Sequence, residues 1–172
     1  MGLCPVCLLD AAVEDGADER ENGFRYELIE EISRGGMGVV YRAMQQGSQR
    51  QIAVKMILAD QAATPGMMER FRAEAEAIAG LDHPHILPLF KAGEHEGLPF
   101  YSMKFADGGT LRERMSHRRH SARDAAQLIA TIARAVHHAL QRGILHRDLK
   151  PADVLLDGPE QTPYVSDFSI AK

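Results

Sequence analysis

Glu31–Met44 reads EISRGGMGVVYRAM: Gly35, Gly36 and Gly38 fall within four positions and run directly into Val39, Val40 and Tyr41. β-Branched and aromatic residues favour a strand, whereas glycine inside one loses order and packing. Such a cluster therefore marks a sharp turn, or a place where backbone must come close to something else. The flanks supply the context. Phe24–Ser33 (FRYELIEEIS) and Gly38–Met44 (GVVYRAM) alternate apolar and polar residues, and Gln51–Leu58 (QIAVKMIL) is a third such run, preceded by the turn residues GSQR. Three consecutive antiparallel strands facing a core on one side are the economical reading.

Working outward, Thr64-Pro65 carries the signature of a helix start, with Thr64 as N-cap and proline at the first helical position. Met68, Phe71, Ala75 and Ile78 follow at three- and four-residue steps, and Gly80 is placed to end the helix. His85–Phe105 (HILPLFKAGEHEGLPFYSMKF) holds two more strand-like runs around a polar turn. The strand pattern gives way at Asp107–Thr110 (DGGT), which predicts a seam near residues 105–109 and a helical section from about Leu111. There Ser121 and Asp124 form a capping pair. Leu128, Ile129, Ile132, Ala135, Val136 and Leu140 make an apolar stripe, and Gly143 terminates it.

Composition bounds the function classes. The 172 residues are 45% hydrophobic and 26% charged, with a formal net charge of −4, as expected of an ordinary globular chain with one core or two small lobes. A net negative chain offers no electrostatic footprint for nucleic acid. The basic run Arg112–Arg123, interrupted by Glu113 and Met115, reads as a solvated loop. No apolar stretch is long enough to span a bilayer, and Val6 stands where a myristoylation signal needs Ser or Thr, so the expected location is cytoplasmic. Residues 1–23, with the acidic patch Asp10–Gly23, read as an extension. Cys4 and Cys7 are read there as two cytosolic thiols rather than a zinc site, because a closed site needs four ligands and no histidine precedes His83.

Four separated motifs carry chemistry. Ser33–Val40 (SRGGMGVV) fits G-x-G-x-x-G-x-V apart from Ser33 at the first glycine. Ala53-Val54-Lys55 ends an apolar strand with a lysine, Leu145–Leu156 reads LHRDLKPADVLL, and Asp167-Phe168-Ser169 follows. In this order they resemble the protein kinase family, and in texture its bacterial Ser/Thr members, from about Tyr26 to Lys172. The resemblance implies an α+β, two-lobed fold: a five-stranded antiparallel N-lobe with one helix (24–106) and an incomplete helical C-lobe (107–172). The chain stops three residues beyond Ser169, so the resemblance also implies a kinase truncated after that motif, its apolar helix stripe lacking later packing partners.

It further implies ATP and Mg²⁺ as cofactors and protein Ser/Thr hydroxyls as substrates. Phosphoryl transfer is mainly positioning and charge stabilisation. On the family pattern Gly35, Gly36 and Gly38 let backbone approach the phosphates, with Ile32 and Ser33 beside them. Val40 and Ala53 cover the adenine, Met103 and Phe105 flank it and Leu155 floors it. Lys55 reaches the phosphates, held by Glu74, with Glu76 the rival one face away. Asp148 is the catalytic base and Lys150 neutralises the moving phosphoryl group. Asp153, in place of the usual asparagine, and Asp167 hold metal. Ile78, Leu89, His146 and Phe168 should stack as an apolar column joining the lobes. Ser33, Asp153 and Ser169 depart from the pattern and motivate an alternative, a nucleotide-binding pseudokinase or interaction module.

Overall fold

The computed structural model describes residues 24–35, 38–58, 66–117 and 121–168, with the side chains of residues 67, 68, 70 and 74 excepted. Cys4, Cys7, Gly36, Thr64, Pro65 and Ser169, each given a part above, lie outside the described residues.

Five strands form one antiparallel sheet: β1 (Tyr26–Gly35), β2 (Gly38–Gln45), β3 (Arg50–Ile57), β4 (Leu89–His95) and β5 (Leu98–Lys104), in the order β1-β2-β3-β5-β4. The expected strands are all present. β3 is central and covered on both faces, so its alternation sorts residues between two cores. Ile52, Val54 and Met56 join Tyr26, Val39, Tyr41 and Phe100 on one side. Ala53 and Ile57 join Phe71, Leu87, Tyr101 and Met103 on the other. Lys55 falls on this second face by the same period, opposite Val40 on β2 and Tyr101 on β5.

The inserted helix α1 (Met67–Ala79) turns Phe71, Ala75 and Ile78 inward. Its N-cap is Gly66 in the left-handed region (φ 78°), not Thr64. Glycine there costs no Cβ strain, so the chain enters the helix two residues later than the Thr-Pro signal predicts. Beyond β5 come α2 (Leu111–His117) and α3 (Ala122–Leu140). The basic run is therefore helical over Arg112–His117 rather than a loop. Thr110 caps α2, its Oγ1 accepting from the Glu113 amide at 3.2 Å while the Glu113 carboxylate accepts from the Thr110 amide at 2.7 Å.

In α3 the capping reading holds: Ser121 Oγ accepts from the Asp124 amide at 3.1 Å. The stripe is narrower than expected. Ile132, Ala135 and Ala139 are buried and Leu128 and Val136 pack beside them, whereas Ile129 and Leu140 are 63% and 51% exposed. They sit at the margins of a helix that meets its core along one seam. A short hairpin, β6 (Val154–Asp157) with β7 (Thr162–Val165), was not foreseen. It runs under the connection after β5, where a Cβ on Gly108 would lie 2.7 Å from the Leu156 carbonyl, so only glycine permits the approach. One core ties sheet and helices together: Ile78, Leu81, Ile86, Leu111, Ile132, Ala135, Val165 and Phe168.

Candidate active site

A cleft of about 310 Å³ opens between the sheet and the β6–β7 hairpin. Ile32, Ser33, Val40, Ala53 and Met103 line it from the sheet, and Phe105 from the connection after β5. Leu155 lies on the hairpin side and Asp167 at the inner end. Of the sequence-predicted pocket residues, Ile32, Ser33, Val40, Ala53, Met103, Phe105 and Leu155 thus converge, whereas Lys55, Gly35 and Gly38 are not among the lining. Gly38 is needed elsewhere: a Cβ there would stand 2.2 Å from the Met56 carbonyl oxygen, so it is the close approach of β2 to β3 that requires glycine. Nothing lies within 4 Å of a Cβ built on Gly35, so the protein's own packing makes no demand at that position.

At the inner end Lys55 Nζ donates to Asp167 Oδ1 at 2.6 Å. The Lys55 side chain is only 14% exposed. Burial works against its ammonium, but Tyr101 and Asp167 outweigh it and hold the group well above the ordinary lysine range. Asp167 itself adopts φ 55°, a left-handed backbone that a non-glycine residue keeps only when its surroundings impose it. Glu74 belongs to α1, and its side chain, expected to pair with Lys55, lies outside the described residues.

The catalytic-loop motif is tied to the strand before Asp167. His146 is buried, its Nε2 donating to the Ser166 carbonyl at 2.7 Å, and the Ser166 amide donates to the Asp153 carbonyl at 2.8 Å. His146 also lies 4.9 Å, ring to ring, from Phe168, which shares a core with Ile78, while Leu89 packs against that core. The four residues expected to form a column therefore meet. Arg147 adopts φ 66°, and beyond it Asp148 is exposed, with Lys150 Nζ 3.0 Å from Asp148 Oδ2 and 3.9 Å from Asp153 Oδ1. The Asp148 interaction raises the Lys150 ammonium above its ordinary value, with help from Asp153.

Asp153 is buried, accepting from the Lys150 amide at 3.1 Å. Burial pushes its carboxyl above the usual carboxylate range, and the charge of Asp167 adds to this. Carboxylate oxygens are the hard ligands that divalent ions of this class take. Among the described residues no group of three or more His, Cys, Asp or Glu is placed to hold a metal.

Sequence reasoning missed two features. Lys104 is bound to Asp157 (2.7 Å) and the Tyr164 hydroxyl (3.2 Å), joining β5 to the hairpin; no local signal announces a pair 53 residues apart in sequence, between Lys104 and Asp157. Tyr101 backs the cleft opposite Lys55, and the period-two alternation of β5 would have placed it there.

The protein kinase domain family model matches residues 26–172. A probable serine/threonine-protein kinase of Streptomyces coelicolor is 39% identical over 160 residues, covering 90% of this chain and 24% of its own length. Serine/threonine-protein kinase PknB of Mycolicibacterium smegmatis is 39% identical over 153 residues, 86% of this chain and 24% of that one. The crystal structure of the Mycobacterium tuberculosis PknI kinase domain superposes with a TM-score of 0.75 at 30% identity, over 92% of this chain and 64% of the solved one. The chain thus spans about a quarter of the length of the two sequence relatives. Among the described residues no helix is long and apolar enough to cross a membrane.

Proposed function

The chain belongs to the protein kinase domain family, and we propose that it carries the nucleotide site and transfer groups of a serine/threonine protein kinase. ATP with Mg²⁺ is the donor and protein Ser/Thr hydroxyls are the acceptors. The observation that carries this reading is a pair of lysine–carboxylate contacts, Lys55 with Asp167, which lines the cleft, and Lys150 with Asp148 in the loop before it. Each lysine is a cation at the place where phosphate charge must be met, and each carboxylate stands beside it.

In this reading Val40, Ala53, Leu155, Met103 and Phe105 enclose the base, while Ile32 and Ser33 cover the sugar end. Lys55 binds the phosphates, with Glu74 its expected orienting partner. Asp148 accepts the proton of the incoming hydroxyl, and Lys150 stabilises charge on the group in transit. Asp153 and Asp167 would hold Mg²⁺, which when bound neutralises phosphate charge as it moves to the leaving oxygen. Gly35, Gly36 and Gly38 keep the covering turn free of side chains. We place this part of the chain in the cytoplasm, where ATP is available. A module that binds nucleotide without transfer, motivated by Ser33, Asp153 and Ser169, has less support, because Lys55, Asp148 and Asp167 are all present.

A thermal-shift titration tests the site. Mg-ATP at about 100 times its dissociation constant should add roughly 2.7 kcal/mol of stability. Lys55→Met and Asp167→Ala should each remove most of it, and Asp153→Asn should stay within a few-fold of the parent affinity. Folded parent protein that ignores Mg-ATP would refute the nucleotide site.

A further inference from the structure

The wall behind the cleft is apolar around Ile78, Leu87, Leu89, Met103 and Phe168, yet Tyr101 is set among them. Its ring is 5% exposed and packs on Phe71 of α1 with centroids 6.0 Å apart. A phenol buried in such a wall needs a partner for its hydroxyl. β3 and β5 supply one, since Tyr101 and Lys55 are direct cross-strand partners within five consecutive register pairs from Ile52 to Met56. Lys55 Nζ lies 5.8 Å from the ring centroid and 2.6 Å from Asp167 Oδ1, so lysine, phenol and carboxylate form one compact set.

We infer that Tyr101 is a positioning residue for the phosphate end of the cleft, its hydroxyl accepting from the Lys55 ammonium while donating to the Asp167 carboxylate. The inference rests on the kinase reading for what Lys55 and Asp167 are positioned to do. A phenol is ordinarily a neutral O–H, able to accept from an ammonium and donate to a carboxylate at once. A partner that braces a metal-binding carboxylate and a phosphate-binding ammonium commonly matters as much as the contact groups themselves. Here the brace comes from an adjacent strand held in register, the most rigid support the fold offers.

Tyr101→Phe keeps the ring and its packing and deletes only the hydroxyl; Tyr101→Met serves as a second apolar variant should the first fail to fold. Two readouts are combined. In protein labelled with ¹⁵N-lysine, the Lys55 Nζ resonance, assigned by its loss in Lys55→Met, should shift or broaden in Tyr101→Phe. Calorimetric affinity for Mg-ATP should fall roughly tenfold, while affinity for adenosine, which lacks the phosphates, stays within about twofold. An unmoved Lys55 resonance overturns the inference, and so does a shifted resonance with unchanged Mg-ATP affinity, or an equal loss for adenosine, which marks wall packing alone. If the parent binds neither ligand but the resonance moves, the kinase reading fails while the Lys55–Tyr101–Asp167 contact stands.

Discussion

Gly38→Ala and Gly35→Ala separate what the sheet requires of the glycine cluster from what a ligand requires. At Gly38 a Cβ would meet the Met56 carbonyl oxygen at 2.2 Å, the Met56 carbonyl carbon at 3.2 Å and Ile57 Cα at 3.3 Å. All three are backbone atoms of the partner strand, so no side-chain rotation relieves the clash; β2 must move off β3 where Gly38 pairs with Ile57. Overpacking of this kind costs about 1–3 kcal/mol. Restricting the unfolded chain returns about 0.4–1 kcal/mol, leaving a net loss of about 1–2 kcal/mol and a fall in Tm of about 2–8 °C for a chain of this size. At Gly35 a Cβ meets nothing within 4 Å, and the backbone is not left-handed. The unfolded-state gain should stand alone there, with Tm unchanged or raised by a degree or two. Thermal and urea unfolding of the two variants beside the parent reads the difference. A Gly38→Ala protein as stable as the parent, or a Gly35→Ala protein that loses as much, would refute the reasoning. Mg-ATP titration of Gly35→Ala then reports the demand of the phosphates on the turn without a stability change to confuse it.

Ile132→Ala, at a buried position of α3, should cost about 2–5 kcal/mol in urea unfolding, whereas Ile129→Ser, on the exposed margin, should stay within about 0.5 kcal/mol. Equal costs would show that the stripe is buried across its whole width. His95 is stacked on Phe24 at 4.0 Å with both ring nitrogens unpartnered among the described residues, and burial depresses its basicity. Its contribution is therefore complete above the unfolded histidine range and is lost as pH falls. Stability should decline between about pH 7 and 5, and His95→Phe, which keeps the stack, should flatten that decline; an unchanged slope would exclude His95 as a source.

The sheet was legible in the sequence because alternation is local and β3 shows it undiluted: Ile52, Val54 and Met56 go one way, Ala53, Lys55 and Ile57 the other. The cleft was legible for a different reason. Four short motifs, each weak alone, name residues that a shared fold must bring together, and Val40, Ala53, Leu155 and Asp167 do line one space. What escaped depends on distance in the chain or on backbone geometry. The β6–β7 hairpin has strands of four residues, too short to show a period. Gly66 holds the helix cap that Thr64 advertised, in a left-handed backbone that glycine adopts without Cβ strain. Tyr101 looked like an ordinary strand aromatic, and only its register with Lys55 gives its hydroxyl a meaning.

That register bears on how the protein tolerates its charges. Lys55 is nearly buried, and an uncompensated ammonium there would cost several kcal/mol; Asp167 meets it, joined on the inference above by the Tyr101 hydroxyl. Lys150 stands in the same relation to Asp148, with Asp153 behind it. On the proposed reading, phosphates replace the carboxylates as partners of the lysines, and the metal replaces the lysines as partner of Asp153 and Asp167. Each charge exchanges one opposite charge for another. Nucleotide alone completes only half of that exchange and leaves like charges facing each other, because Asp148, Asp153 and Asp167 outnumber Lys55 and Lys150. An asparagine at position 153 would have left the two sets equal. With aspartate there, the cleft repels metal-free nucleotide more strongly, and the coupling between Mg²⁺ and ATP should be steeper than in a site built with the amide.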